Sequence, residues 1–162
     1  MNTFAKIIQL RELTFRKVTF YTIQFEDNKS SEYEDFIERH IDKPEIFNDL
    51  DNLDYWIQKI GDEIGALPEY FRNESIIGDT HALPPPRYKM GEIIVEELRL
   101  YCMRLDNSRV ILFNGGVKTT ENAQNCPNVA PFLKQANKLV VAIDRLISAR
   151  DIEIADNEEF EF

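Results

Sequence analysis

The apolar positions of this chain follow two different periods. Over residues 17–25, Tyr21, Ile23 and Phe25 alternate with Thr22 and Gln24, the period of two that marks a strand with one buried face. Residues 26–29 break that strand. Ser31 with Glu34 three positions later forms a capping-box pattern that opens a helix, with Tyr33, Phe36, Ile37 and Ile41 as its apolar stripe and Lys43-Pro44 as its stop. Ile46, Leu50, Leu53, Ile57, Ile60 and Ile64 then recur at steps of four and three, one face of a second helix. The short link between the two predicts an antiparallel helical hairpin, with its many acids on the solvated outside.

Residues 67–90 carry no clear period, and Pro68, Gly78 and Pro84-Pro85-Pro86 mark them as a long loop with room for a short strand around Ile76-Ile77. Residues 98–105 and 110–117 are two apolar strands around Asp106-Asn107-Ser108-Arg109, a hairpin signal. A last helix is expected from about Asn128 to Arg150, on a stripe running from Val129 and Phe132 to Ile143 and Leu146. The order predicts an α+β domain over residues 1–150, a small antiparallel sheet with an N-terminal helical hairpin and a long C-terminal helix. An acidic tail, 151–162, follows it.

A two-residue turn at Asn107-Ser108 sets Leu105 opposite Val110, Met103 opposite Leu112, Tyr101 opposite Asn114 and Arg99 opposite Gly116. One face then gathers Leu98, Leu100, Cys102, Ile111, Phe113 and Val117, and packs on the helices. The other presents Arg99, Tyr101, Asn114 and Lys118, a set able to grip a phosphodiester and stabilise charge building on it. The plainer alternative pairs Arg99 with Glu92, Glu96 or Glu97 and leaves Lys118 solvated.

Composition narrows the function classes. The chain has 162 residues, 29 acidic and 19 basic, for a net charge of −10, which opposes non-specific binding to nucleic acid. The charge is uneven: residues 26–63 hold 13 acids and four bases, whereas residues 79–120 hold five acids and six bases. A local basic face is therefore compatible with the acidic total. No apolar run approaches the length of a membrane span, and two cysteines, Cys102 and Cys126, point to a reducing, cytoplasmic setting. His40, placed on the exposed side of its helix, and His81, in the Pro-rich loop, lie far apart. The spacing gives no metal site or Cys-His nucleophile pair, and no cofactor is expected. Cys126 is read as a partly exposed thiol and Trp56 as a packing residue.

The stretch from Glu97, E-L-R-L-Y-C-M-R-L-D-N-S-R-V-I-L-F-N-G-G-V-K-T-T, resembles the central hairpin of the RelE/ParE-like toxin superfamily, nearest to its HigB-like members. The alternation of Tyr21, Ile23 and Phe25 before a helical hairpin resembles the opening of that fold, and the likeness covers roughly residues 18–120. It implies the toxin of a type II toxin–antitoxin module, a metal-independent endoribonuclease that cleaves mRNA on the ribosome. A helix-turn-helix (Xre-like) antitoxin would neutralise it. Arg99 and Lys118 match the family's strand arginine and following lysine and would hold the scissile phosphate, with Arg109 third. Tyr101 and Asn114 would orient substrate, and Arg104 with Arg109 matches a competing RelE-like arginine pair. The chain is more acidic and longer than such toxins, Thr119 stands where a second basic residue often follows, and no catalytic C-terminal aromatic or histidine matches. The alternative is a catalytically silent RelE-like domain that acts as a protein-interaction module.

Overall fold

In the computed structural model, which describes residues 4–74, 79–86, 88–89, 92–93, 97–119, 126–150 and 158–161, the apolar residues of the longer strands are divided between two cores. The elements run β1 (Phe4–Thr14), β2 (Thr19–Phe25), α1 (Glu32–His40), α2 (Phe47–Lys59), β3 (Arg72–Asn73), β4 (Thr80–Leu83), β5 (Tyr88–Lys89), β6 (Glu92–Ile93), β7 (Glu97–Asp106), β8 (Arg109–Lys118), α3 (Ala130–Arg150) and β9 (Glu158–Glu161). Seven strands form one mixed sheet in the order β3-β4-β7-β8-β2-β1-β9, and β5 and β6 pair separately.

This architecture corrects the expected small antiparallel RelE-like sheet. Two paired strands precede the helical hairpin, so the hairpin is not N-terminal, and β2 pairs with β8 in parallel. Nor is α3 the last element, because β9 adds antiparallel to β1 at the far edge. Residues 158–161 of the acidic tail are thus part of the sheet, with Phe160 buried in the α3-side core. The suggested strand at Ile76-Ile77 lies outside the described residues. His81 sits in β4 rather than in a loop.

The helices form where their local signals place them. Ser31 caps α1 by accepting a hydrogen bond from the Glu34 N–H at 3.2 Å. The α2 stripe runs on into a π-turn at Ile60–Ile64, ended by Gly65 at φ +95°, a left-handed conformation that glycine adopts without a Cβ clash. Trp56 packs against Tyr70 with ring centroids 5.9 Å apart, as a packing residue would.

Both faces of the sheet are covered. Phe36, Leu53, Ile57 and Ile60 of the hairpin side pack on Phe20, Leu98, Leu100, Cys102, Val110 and Leu112. On the other face Leu133, Ala136, Leu139, Val140 and Ile143 of α3 pack on Ile23, Tyr101, Met103, Ile111 and Phe113. The turn at Asn107-Ser108 is as expected, but the register slips twice. Pairing starts at Asp106↔Arg109, moves to Arg104↔Val110, Met103↔Ile111 and Cys102↔Leu112, then returns to Leu100↔Gly115 and Arg99↔Gly116. One irregularity sits on each strand and the two cancel, so the distal register is right while Ile111 and Phe113 turn to the face opposite the expected one.

Candidate functional site

The six residues singled out in the sequence do not converge on one open face. Arg99 is 2% exposed, and its Nε lies 3.6 Å from Glu74 Oε1. Tyr101 is buried beneath α3, and its hydroxyl makes no hydrogen bond among the described residues; burial drives its proton affinity well above the tyrosine range. The covering helix is the reason: the Tyr101 face that would have been open is the floor of the α3 core.

Lys118 is half-buried beyond the end of that core. Burial, and then the neighbouring Arg99 charge, lower its pKa, with Glu74 opposing and Arg72 adding to the effect. Arg72, Glu74, Arg99 and Lys118 therefore share one electrostatic neighbourhood at the end of β3, β7 and β8. Arg104 and Arg109 lie at the other end of the hairpin. Arg109 grips Asp106 Oδ2 through Nη2 at 2.7 Å and Nε at 3.0 Å. Arg104 donates to Ala66 O at 2.6 Å and to Asn107 Oδ1 at 2.8 Å. These two arginines hold the turn and the segment after α2.

Asn114 is 2% exposed and serves a junction that periodicity could not reveal. β2 and β8 pair only as far as Thr22↔Leu112. Beyond that point they part, with α1 following β2 on one face and α3 following β8 on the other, the topology that opens a crevice at strand ends. Asn114 Nδ2 donates to Asp35 Oδ2 at 2.8 Å, and its Oδ1 accepts from the Arg39 guanidinium. Arg39 also donates to Gly115 O at 2.8 Å and to Asp35 at 2.9 Å, and its guanidinium carbon stands 4.6 Å from the Phe132 ring centroid. One side chain of α1 thereby ties together α1, β8 and α3. Glu32 is buried beside this junction; burial raises its pKa, while a hydrogen bond from Asn114 works against the rise.

His40, expected on an exposed helix side, is 2% exposed. Its Nδ1 lies 2.6 Å from Phe36 O, and burial holds its pKa below the ordinary histidine value. Cys126 is fully buried rather than partly exposed. Burial would raise its pKa, but hydrogen bonds from Thr119 Oγ1 and the N–H groups of Thr119, Asn128 and Val129 bring it down to about 7.

The outer side of the helical hairpin carries a groove of about 420 Å³ lined by Tyr33, Ile37, Ile41, Phe47, Leu50 and Ile57, with Asp51 and Asp54 at its side. Ile41 is 52% and Phe47 45% exposed. Each apolar residue that α1 and its exit give this groove is followed by an acid: Tyr33 by Glu34, Ile37 by Glu38, Ile41 by Asp42. The α1 stripe was legible in the sequence, but its division between core and groove was not. Burial, and then the charges of Asp54 and Glu12, push the Tyr33 hydroxyl up to about 12.

Among the described residues no cluster of His, Cys, Asp and Glu could hold a metal ion, and no helix is long and apolar enough to cross a membrane. Compared with known proteins, the chain matches no family profile, no curated protein and no solved structure.

Proposed function

We propose that this chain is a catalytically silent protein-interaction module that takes a basic, amphipathic helix of a partner protein into the groove between α1 and α2. The observation that carries this reading is the exposure of Ile41 and Phe47 together in one apolar groove. Isolated apolar residues are common on surfaces, whereas a lined groove is the form in which an amphipathic helix is bound. The acids beside it set the charge of the occupant. Glu34, Glu38, Asp42 and Asp51 are exposed and make no ion pair among the described residues. A helix with a basic flank would satisfy them. The engagement of Arg99, Arg104 and Arg109 with the chain's own acids and carbonyls supports a silent module over a nuclease.

A helix-turn-helix protein encoded beside this chain is the first partner to test, as the resemblance implies, and the two free cysteines fit a cytoplasmic setting. Calorimetric titration of that protein into the chain should give a saturable complex. Replacing Ile41 and Phe47 together by Asp should weaken it at least about a hundredfold, on the order of two buried apolar anchors. Unaltered affinity in the double variant would place the contact elsewhere.

A second reading, a ribosome-dependent mRNA endoribonuclease, has one supporting observation: beyond the effect of burial, Arg99 and Arg72 lie close enough to Lys118 to lower its pKa further. Growth arrest on induced expression, relieved by Arg99→Ala with Lys118→Ala at equal soluble level, would favour it. Absence of arrest in a closely related host would remove it.

A further inference from the structure

A cleft of about 550 Å³ lies between the exit of α1 and the end of β8, lined by Arg39, His40, Lys43, Asp49, Gly116 and Asn128 among others. It faces the sheet end rather than the outer groove, and it is independent of partner docking. From its geometry we infer that this cleft binds a phosphoryl group, held by Lys43 and Arg39 and hydrogen-bonded to His40 Nε2.

Three features lead there. His40 is enclosed, with its ring centroid 4.7 Å from that of Phe36. Its Nδ1 sits 2.6 Å from a carbonyl oxygen, which can only accept, so Nδ1 carries the proton and Nε2 the lone pair. Nε2 has no partner among the described residues, and His40 lines the cleft. Arg39 is held in place by Asp35, Asn114, Gly115 and Phe132, so its charge is already positioned. Beneath them Gly116 leaves room for no side chain, since a Cβ there would stand 2.5 Å from Asn128 O.

Two cations beside a hydrogen-bond acceptor call for negative oxygens next to a hydroxyl. A carboxylate lacks the hydroxyl at neutral pH. A phosphate monoester monoanion has both, and so does a phosphodiester beside a ribose 2′-hydroxyl. The charges facing His40 are Asp35, Arg39 and Lys43 from α1 and its exit, and the cleft adds Glu45 and Asp49 from the following turn and α2. Glu45, like Lys43, is exposed and screened by solvent, and Asp49 is half-buried with a partner of its own. β8 and the turn before α3 contribute only the uncharged Gly116, Val117 and Asn128.

The test is a nuclear magnetic resonance titration of the intact chain, following the His40 ring nitrogens between pH 5 and 8. Inorganic phosphate, a ribodinucleotide and its 2′-deoxy counterpart serve as probes. Phosphate should move the Nε2 resonance saturably and raise the titration midpoint of His40, because a bound anion favours the imidazolium. Lys43→Ala, an exposed change, should weaken this about tenfold. A response to phosphate and to the ribodinucleotide that the 2′-deoxy counterpart, which lacks the neighbouring hydroxyl, does not share supports the site, and an equal response to all three probes would overturn the hydrogen bond to Nε2. Unmoved His40 signals up to the chloride concentration of the buffer, or equal shifts in Lys43→Ala, would overturn the assignment.

Discussion

Asn114 holds its neighbours from the buried side of a half-exposed ion pair. Its amide donates to Asp35 and accepts from Arg39 at a position that is almost wholly buried, so Asn114→Ala leaves two charged groups short of a partner. A loss of about 1–3 kcal/mol is expected, read as a lower urea midpoint with unchanged slope. His40 supplies a second residue-scale prediction. Its folded pKa lies below the ordinary 6.5, so the unfolded chain binds more protons there. Its contribution is present above pH 6.5 and is lost as pH falls through the lower folded value. Unfolding free energies measured from pH 7 down to pH 5 should therefore decline more steeply in the wild type than in His40→Gln. The sequence placed Asn114 and Arg39 on their elements, but 75 residues separate them, and only the parting of β2 from β8 makes them a pair.

At the scale of the elements, the contact of β8 with β7 leaves no space for a side chain at residue 115. A Cβ on Gly115 would stand 1.9 Å from Arg99 O, a backbone atom that cannot turn aside. Gly115→Ala should cost at least about 3 kcal/mol or prevent folding, checked by urea denaturation or by soluble yield. Phe160 is the buried anchor of β9, and Phe160→Ala should cost about 3 kcal/mol and expose the edge of β1. The measurement is thermal unfolding together with light scattering of the folded protein. The β2 strand, the Ser31 cap, the α2 stripe and the turn at Asn107-Ser108 were all legible, because each is written in neighbouring residues. β1 was not. Ala5 and Ile7 enter the α3 core, but after the irregularity past Gln9 it is Leu10 and Leu13 that enter the hairpin core, so neither period survives along the strand.

Considered as a whole molecule, a seven-stranded sheet between two helical layers leaves little of its centre facing solvent. That fact changes the reading of Arg99, Tyr101 and Asn114 more than any local contact does. Strand spacing alone could assign them to one hairpin face, but it could not say whether a helix lies over that face. The long stripe of α3 was visible in the sequence, and its landing place depends on the parallel pairing of β2 with β8, a contact between residues 90 apart. With the sheet covered, the acid-flanked groove of α1 and α2 is the surface we propose meets a partner. The decisive measurement is hydrogen exchange of the chain with and without the proposed helix-turn-helix partner. Added protection is expected over residues 33–57, on α1 and α2, with residues 97–119 unchanged. Protection over 97–119 with α1 and α2 unaffected would contradict it.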